Sequence, residues 1–117
     1  MGNEYIMNDK GVYNLRNKIV ENVCTEYKKE IKLILLKYIN SYNTIDKNFD
    51  QFFDYYVKFH RDIIIKCSDV IRDDIRFAKS EWCEILTDLN IQDIFIKIDK
   101  IILEELFKNK LKELTSN

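Results

Sequence analysis

The scarcity of turn-forming residues is the feature that most constrains the fold of this chain. Its 117 residues include no proline, and its two glycines, Gly2 and Gly11, both lie near the start. A sheet protein of this length needs turn residues roughly every 8–12 positions. With turns so scarce, the sequence predicts an all-α fold, a bundle of three or four long amphipathic helices.

The stretch from Phe49 to Ile65 combines more aromatic and aliphatic side chains than any other part of the chain. On a helical wheel its apolar side covers about 200°, whereas a surface helix needs about 100° for one contact. We therefore expect other helices to cover this stretch from two directions. Tyr55 and Phe59 lie at one edge of the apolar side, where a second contact would be made.

Two other segments have the three-and-four spacing of amphipathic helices. The first covers about 12–40, and the second covers about 91–114. Asn90 marks the boundary before the second helix, and Asp93 lies in its first turn, where negative charge is favourable. Residues 1–10 show no periodicity and predict a flexible N-terminal arm, which leaves 11–117 as a single helical-bundle domain.

The region 46–89 allows two interpretations. Its apolar stripe continues without losing phase, which favours one helix about 66 Å long at 1.5 Å per residue. Such a helix suits a dimer or an elongated three-helix body. Alternatively the helix is split near residue 68, where Ser68 could cap a new helix and give a four-helix bundle. In the preceding loop, Thr44 or Asn48 could cap the start.

Charge, cysteine content and hydropathy limit the possible environments. The formal net charge is −1, from 19 basic and 20 acidic side chains, so no concentrated basic surface is expected. No apolar run is long enough for a membrane span. The odd number of cysteines, Cys24, Cys67 and Cys83, has no paired spacing and predicts free thiols in a reducing, cytoplasmic compartment.

Nothing in the sequence suggests an enzyme, a cofactor or a metal. His60 is the only histidine, and it lies on the apolar side of its helix, where a core residue with one hydrogen-bond partner is the expectation. Cys67, seven residues later, would lie about 10 Å away along the helix axis, too far for a catalytic pair. Zinc sites use two short-spaced ligand pairs, and none is present.

One compact basic strip is the alternative candidate site. Arg72, Arg76 and Lys79 share a helical face, and Arg61 lies further up the chain. The strip could bind anions, which makes a nucleic-acid-associated protein the alternative function. Interleaved aspartates would offset much of its field, so nucleic acid is an unlikely partner.

The combined pattern favours a non-enzymatic helical protein–protein interaction module, which we expect to be a homodimer. The apolar surface exceeds what one small bundle covers, and such excess usually marks a partner or a second copy. Aromatic side chains are typical anchors of interfaces. The candidate protein-binding residues are Phe52, Tyr55, Phe59 and Trp82. The abundant Ile, Lys, Asn, Tyr and Phe have AT-rich codons, which suggests an AT-rich genome as the source, such as that of a low-GC bacterium, a phage, a large DNA virus or a parasite. If the source is a virus or phage, the chain could be an effector that sequesters a host protein.

Overall fold

A computed structural model of the chain confirms the all-α prediction. The structure describes the backbone of residues 2–80 and 90–116 and the side chains of residues 18–80 and 90–116. The described helices are α1 (Gly2–Asn40), α2 (Phe49–Tyr55), a π-helical segment (Tyr56–His60), α3 (Arg61–Ile65), α4 (Asp69–Ala78) and α5 (Ile91–Thr115). Because α2, the π segment and α3 join through helical backbone, residues 49–65 are called the aromatic helix.

The first helix is longer than predicted, because α1 begins at Gly2 and not near residue 12. Most of the expected N-terminal arm is thus helical. No proline interrupts this segment, and one glycine inside a helix costs only about 1 kcal/mol, which a helix of 39 residues tolerates. The flexibility of residues 1–10 and the single domain 11–117 stay predictions.

The aromatic helix ends at Ile65, so the interpretation of 46–89 as one helix is wrong. The chain turns at Lys66 and Cys67, where the Cys67 amide donates to the Ile64 carbonyl at 3.1 Å. Ser68 then caps α4, since its hydroxyl accepts from the Ile71 amide at 3.2 Å. The apolar stripe keeps its phase across this break, so periodicity alone could not reveal it. The predicted end near residue 89 lies outside the described residues.

Asparagine side chains cap the starts of the aromatic helix and of α5. The aromatic helix begins at Phe49 and not at residue 46, because Asn48 caps it. The Asn48 side chain accepts from the Gln51 amide at 2.9 Å, and the Gln51 side chain accepts from the Asn48 amide at 3.3 Å. Asn90 accepts from the Asp93 amide at 3.2 Å and caps α5, which begins just after the predicted boundary.

The core lies where α1 packs against α5 and the aromatic helix closes over both. Its centre is a stacked pair, Tyr27 of α1 and Phe95 of α5, with ring centroids 3.9 Å apart and planes within 4°. On α1 the buried residues follow at four-residue intervals. The buried apolar residues of the described chain are Tyr27, Ile31, Leu35, Ile39, Phe52, Phe53, Tyr56, Ile65, Ile71, Ile91, Phe95, Ile102, Leu103 and Phe107.

Candidate protein-docking face

The aromatic helix turns one face to solvent, and large apolar side chains follow one another along it. Tyr55, Phe59 and Ile63 are spaced four residues apart and are 39%, 53% and 67% exposed. We call these three residues the apolar row. Ile101 on α5 is equally exposed, but its neighbours one turn away are the charged Lys97 and Glu105. Ile101 is thus an isolated apolar residue, whereas the three side chains of the apolar row form a continuous strip.

The π-helical segment helps to keep this row on one face. In a regular α-helix, residues four apart are rotated by about 40° from one another, so a row with this spacing winds around the helix. A π turn is wider and offsets part of that rotation. Here the Arg61 amide donates to the Tyr56 carbonyl, five residues earlier, between Tyr55 and Ile63. The wider turn therefore lies inside the row.

Two lysines stand beside the aromatic rings of the row. The Tyr55 and Phe59 ring centroids are 4.8 Å apart. The Lys47 ammonium lies 4.0 Å from the Tyr55 centroid, and the Lys58 ammonium lies 5.4 Å from that of Phe59. Both distances are within the range of cation–π attraction. Together with Gln51 and Asp54, these residues line a shallow cleft of about 440 Å³.

A second row of side chains, exposed and charged, runs beside the first. Asp54, Lys58, Asp62 and Lys66 also follow at four-residue intervals, and their charges alternate. We call these four residues the charged row. In the described part of the chain none of them forms a salt bridge, whereas Arg61, Arg72 and other cations do.

The structure separates the four predicted protein-binding residues. Tyr55 and Phe59 lie on the surface, in the apolar row. Phe52 is 4% exposed and packs against Phe107 at 5.1 Å between ring centroids, so it belongs to the core. Trp82 lies outside the described residues.

The predicted basic strip is also divided. Arg61 points into the protein, where its Nε donates to Asp99 at 2.7 Å. Arg72 pairs with Asp69, and Arg76 pairs with Asp73 at 3.3 Å. Arg72, Arg76 and Lys79 do line one cleft of about 450 Å³, which also contains Lys66, Asp62, Ile65 and Ile75. The structure thus brings three of the four predicted residues together and excludes Arg61.

The partner of Arg61 is a buried polar cluster that the sequence analysis missed. Asp99 is fully buried, and its carboxylate accepts from Tyr27 at 2.7 Å, Tyr56 at 2.8 Å and Arg61 at 2.7 Å. The guanidinium also donates to the Tyr27 hydroxyl at 2.9 Å. Burial raises the pKa of the Asp99 carboxyl above its ordinary value, and Arg61 and the hydroxyl donors offset only part of that rise. The cluster joins α1, the aromatic helix and α5.

The spacing of Asp99 on α5 marks it as a core residue. Every fourth residue from Ile91 to Phe107 is buried, and Asp99 is the polar member of that series. A carboxylate at a core position needs paired donors, because an unpaired buried charge is strongly unfavourable. Burial likewise raises the pKa of the Tyr27 and Tyr56 hydroxyls above their ordinary range. Both hydroxyls are therefore protonated donors to Asp99.

A second buried carboxyl lies between α4 and α1. Asp74 is 5% exposed, and its Oδ2 has no hydrogen-bond partner among the described residues. Burial, together with the nearby charges of Glu26, Asp73 and Glu30, raises the pKa of Asp74 to about 8. The Asp74 carboxyl therefore holds a proton at neutral pH.

His60 is half-buried at the contact between the aromatic helix and α1. Its Nδ1 lies 2.6 Å from the Tyr38 hydroxyl, which also lies 2.9 Å from that of Tyr42. The Tyr55 ring packs edge-on against His60 at 5.0 Å between centroids. Over residues 18–80 and 90–116, no group of three or more His, Cys, Asp or Glu side chains is placed to hold a metal ion.

Neither a protein-family model, nor a curated protein, nor a solved structure matches the chain. Among the described helices, none is both long and apolar enough to cross a membrane.

Proposed function

We propose that the chain is a non-enzymatic protein-interaction module that forms a homodimer through the apolar row of the aromatic helix. The single observation that supports this proposal is the continuous exposure of Tyr55, Phe59 and Ile63 on one helical face. Burying apolar surface is favourable by roughly 25 cal/mol for each Å² removed from water. A contact that covers all three side chains at once gains most from this effect.

The surroundings of the row suit an interface with a small apolar centre. Aromatic anchors surrounded by polar and charged groups are typical of protein contacts. The underlying helix is held by Phe52 and Tyr56, which are buried in the core, so the row is presented on a fixed support. Little order would have to be gained on association, which lowers its entropic cost.

Replacing both Phe59 and Ile63 by serine tests the proposal. We expect the dimer dissociation constant to rise at least about 10-fold, since each loss of roughly 1.4 kcal/mol is a factor of ten. The measurement is sedimentation equilibrium, with circular dichroism to verify that helix content is unchanged. Leu33→Ser/Ile101→Ser is the matched control, because both residues are exposed apolar side chains outside the row. Equal association of both double variants would contradict the proposal.

Two further predictions from the sequence, host-protein sequestration and association with nucleic acid, are not part of this proposal. Sequestration of a host protein by a viral or phage effector rests on the apolar excess of the sequence, and its viral or phage source rests on codon preference alone. Association with nucleic acid through Arg72, Arg76 and Lys79 has less support, because two of these cations pair with aspartates and Asp62 lines the same cleft. Phosphate binding needs cations that are free to replace counterions.

A further inference from the structure

The order of charges in the charged row defines how a second copy would dock. Read from Asp54 to Lys66, the row is negative, positive, negative, positive. Read in the opposite direction, it is positive, negative, positive, negative. Two such rows placed side by side and antiparallel therefore put an opposite charge beside every charge.

We infer that two copies of the chain associate with their aromatic helices antiparallel, related by a two-fold axis near Phe59. This inference rests on the proposed function and specifies its geometry. In this arrangement Phe59 meets Phe59 of the second copy, and Tyr55 meets Ile63. In the charged row, Asp54 lies beside Lys66 of the second copy and Lys58 lies beside Asp62. The centre of the apolar row, Phe59, and the midpoint of the charged row differ by only one residue.

Symmetry explains why the antiparallel orientation is favoured. For two helices packed face to face, a two-fold axis that makes them antiparallel places corresponding rows on the same side. Apolar row then meets apolar row, and charged row meets charged row. A parallel pair would place the charged row against the opposite flank of the partner helix. That flank carries Tyr56, which is buried, and His60 and Ile64, which are half-buried.

Two single charge reversals test the geometry, because a recovery of affinity when the two variants are mixed can come only from contacts between two chains. Lys58→Asp places two negative side chains together at each 58–62 contact, and Asp62→Lys places two positive ones there. We expect each variant alone to dimerise at least about 10-fold more weakly than wild type, since like charges across an interface are unfavourable. Mixed together, the two variants should form a heterodimer of near wild-type affinity, because both contacts regain opposite charges.

The control for charge alone is Lys97→Asp, an exposed lysine on α5 that should leave association unchanged. Sedimentation equilibrium of each variant and of the mixture, with one variant fluorescently labelled, gives the affinities. If the Phe59→Ser/Ile63→Ser variant loses dimerisation but the mixture gains nothing, the antiparallel geometry is wrong and the proposed function stands. A monomeric wild type overturns both.

A disulfide cross-link measures the orientation independently. The antiparallel arrangement places Gln51 close to the exposed Cys67 of the second copy. The Gln51→Cys variant should therefore form an oxidised dimer on a denaturing gel, and Gln51→Cys/Cys67→Ser should not. Parallel helices would instead bring the two Cys67 side chains together, so oxidised dimers of the wild-type chain that disappear with Cys67→Ser would overturn the inference.

Discussion

Replacing Asp99 by alanine is expected to lower the free energy of unfolding by about 3–5 kcal/mol, the range typical of breaking a buried ion pair from one side. The change leaves the Arg61 guanidinium, whose side chain is 12% exposed, without its carboxylate. It also removes the acceptor of two buried hydroxyls, those of Tyr27 and Tyr56. Urea unfolding followed by circular dichroism gives the measurement.

A double variant separates the ion pair from the packing. Arg61→Met/Asp99→Ala removes both charges, so we expect it to be more stable than Asp99→Ala alone, because no unpaired charge stays buried. Tyr27→Phe is the milder control and should cost about 1–3 kcal/mol, since it deletes one hydroxyl from the cluster. If the urea midpoint of Asp99→Ala equals that of wild type, the cluster does not stabilise the junction of the three helices.

The stability of the protein is expected to fall as pH rises from about 5 to about 8, and Asp74 is the cause. The folded-state pKa of Asp74 is raised to about 8, whereas an ordinary aspartate has a value of 3.8. Between these values the folded chain binds one more proton at Asp74 than the unfolded chain does. Raising the pH therefore favours unfolding, by at most about 1.4 kcal/mol per pH unit from this group.

The Asp74→Asn variant removes this dependence while keeping the size of the side chain. At about pH 9 we expect it to be more stable than wild type by roughly 1–3 kcal/mol, because the amide carries no charge beside Glu26 and Glu30. Asp46→Asn is the matched control, since Asp46 is an exposed aspartate in the loop before the aromatic helix, away from Asp74. Urea unfolding at several pH values decides the question. Parallel curves for wild type and Asp74→Asn would contradict the assignment.

Helix content and helix caps were predictable because their signals are local. The capping roles of Ser68, Asn48 and Asn90 depend only on residues within three positions of each. The choice between one helix and two in 46–89 was not predictable, because the apolar stripe keeps its phase through Lys66 and Cys67. The break depends on a turn that no glycine or proline marks.

Pairing across the structure was the part that sequence patterns could not give. Arg61 had the same expected role as Arg72 and Arg76, yet Asp99, 38 residues away, draws it into the core. Positions 52 and 59 are both phenylalanine, but α5 covers Phe52 and leaves Phe59 exposed. Which edge of a wide apolar side is covered depends on how the neighbouring helices pack.

The solution mass of the wild-type chain tests the central claim most directly. One helix pair is smaller than a standard interface of about 800 Å² per partner, so we expect a dissociation constant in the micromolar range. Sedimentation equilibrium from about 1 to about 500 µM should therefore show the mass rising from 14.2 kDa to about 28 kDa. A mass that stays at 14.2 kDa over this whole range would contradict the claim that the apolar row joins two copies.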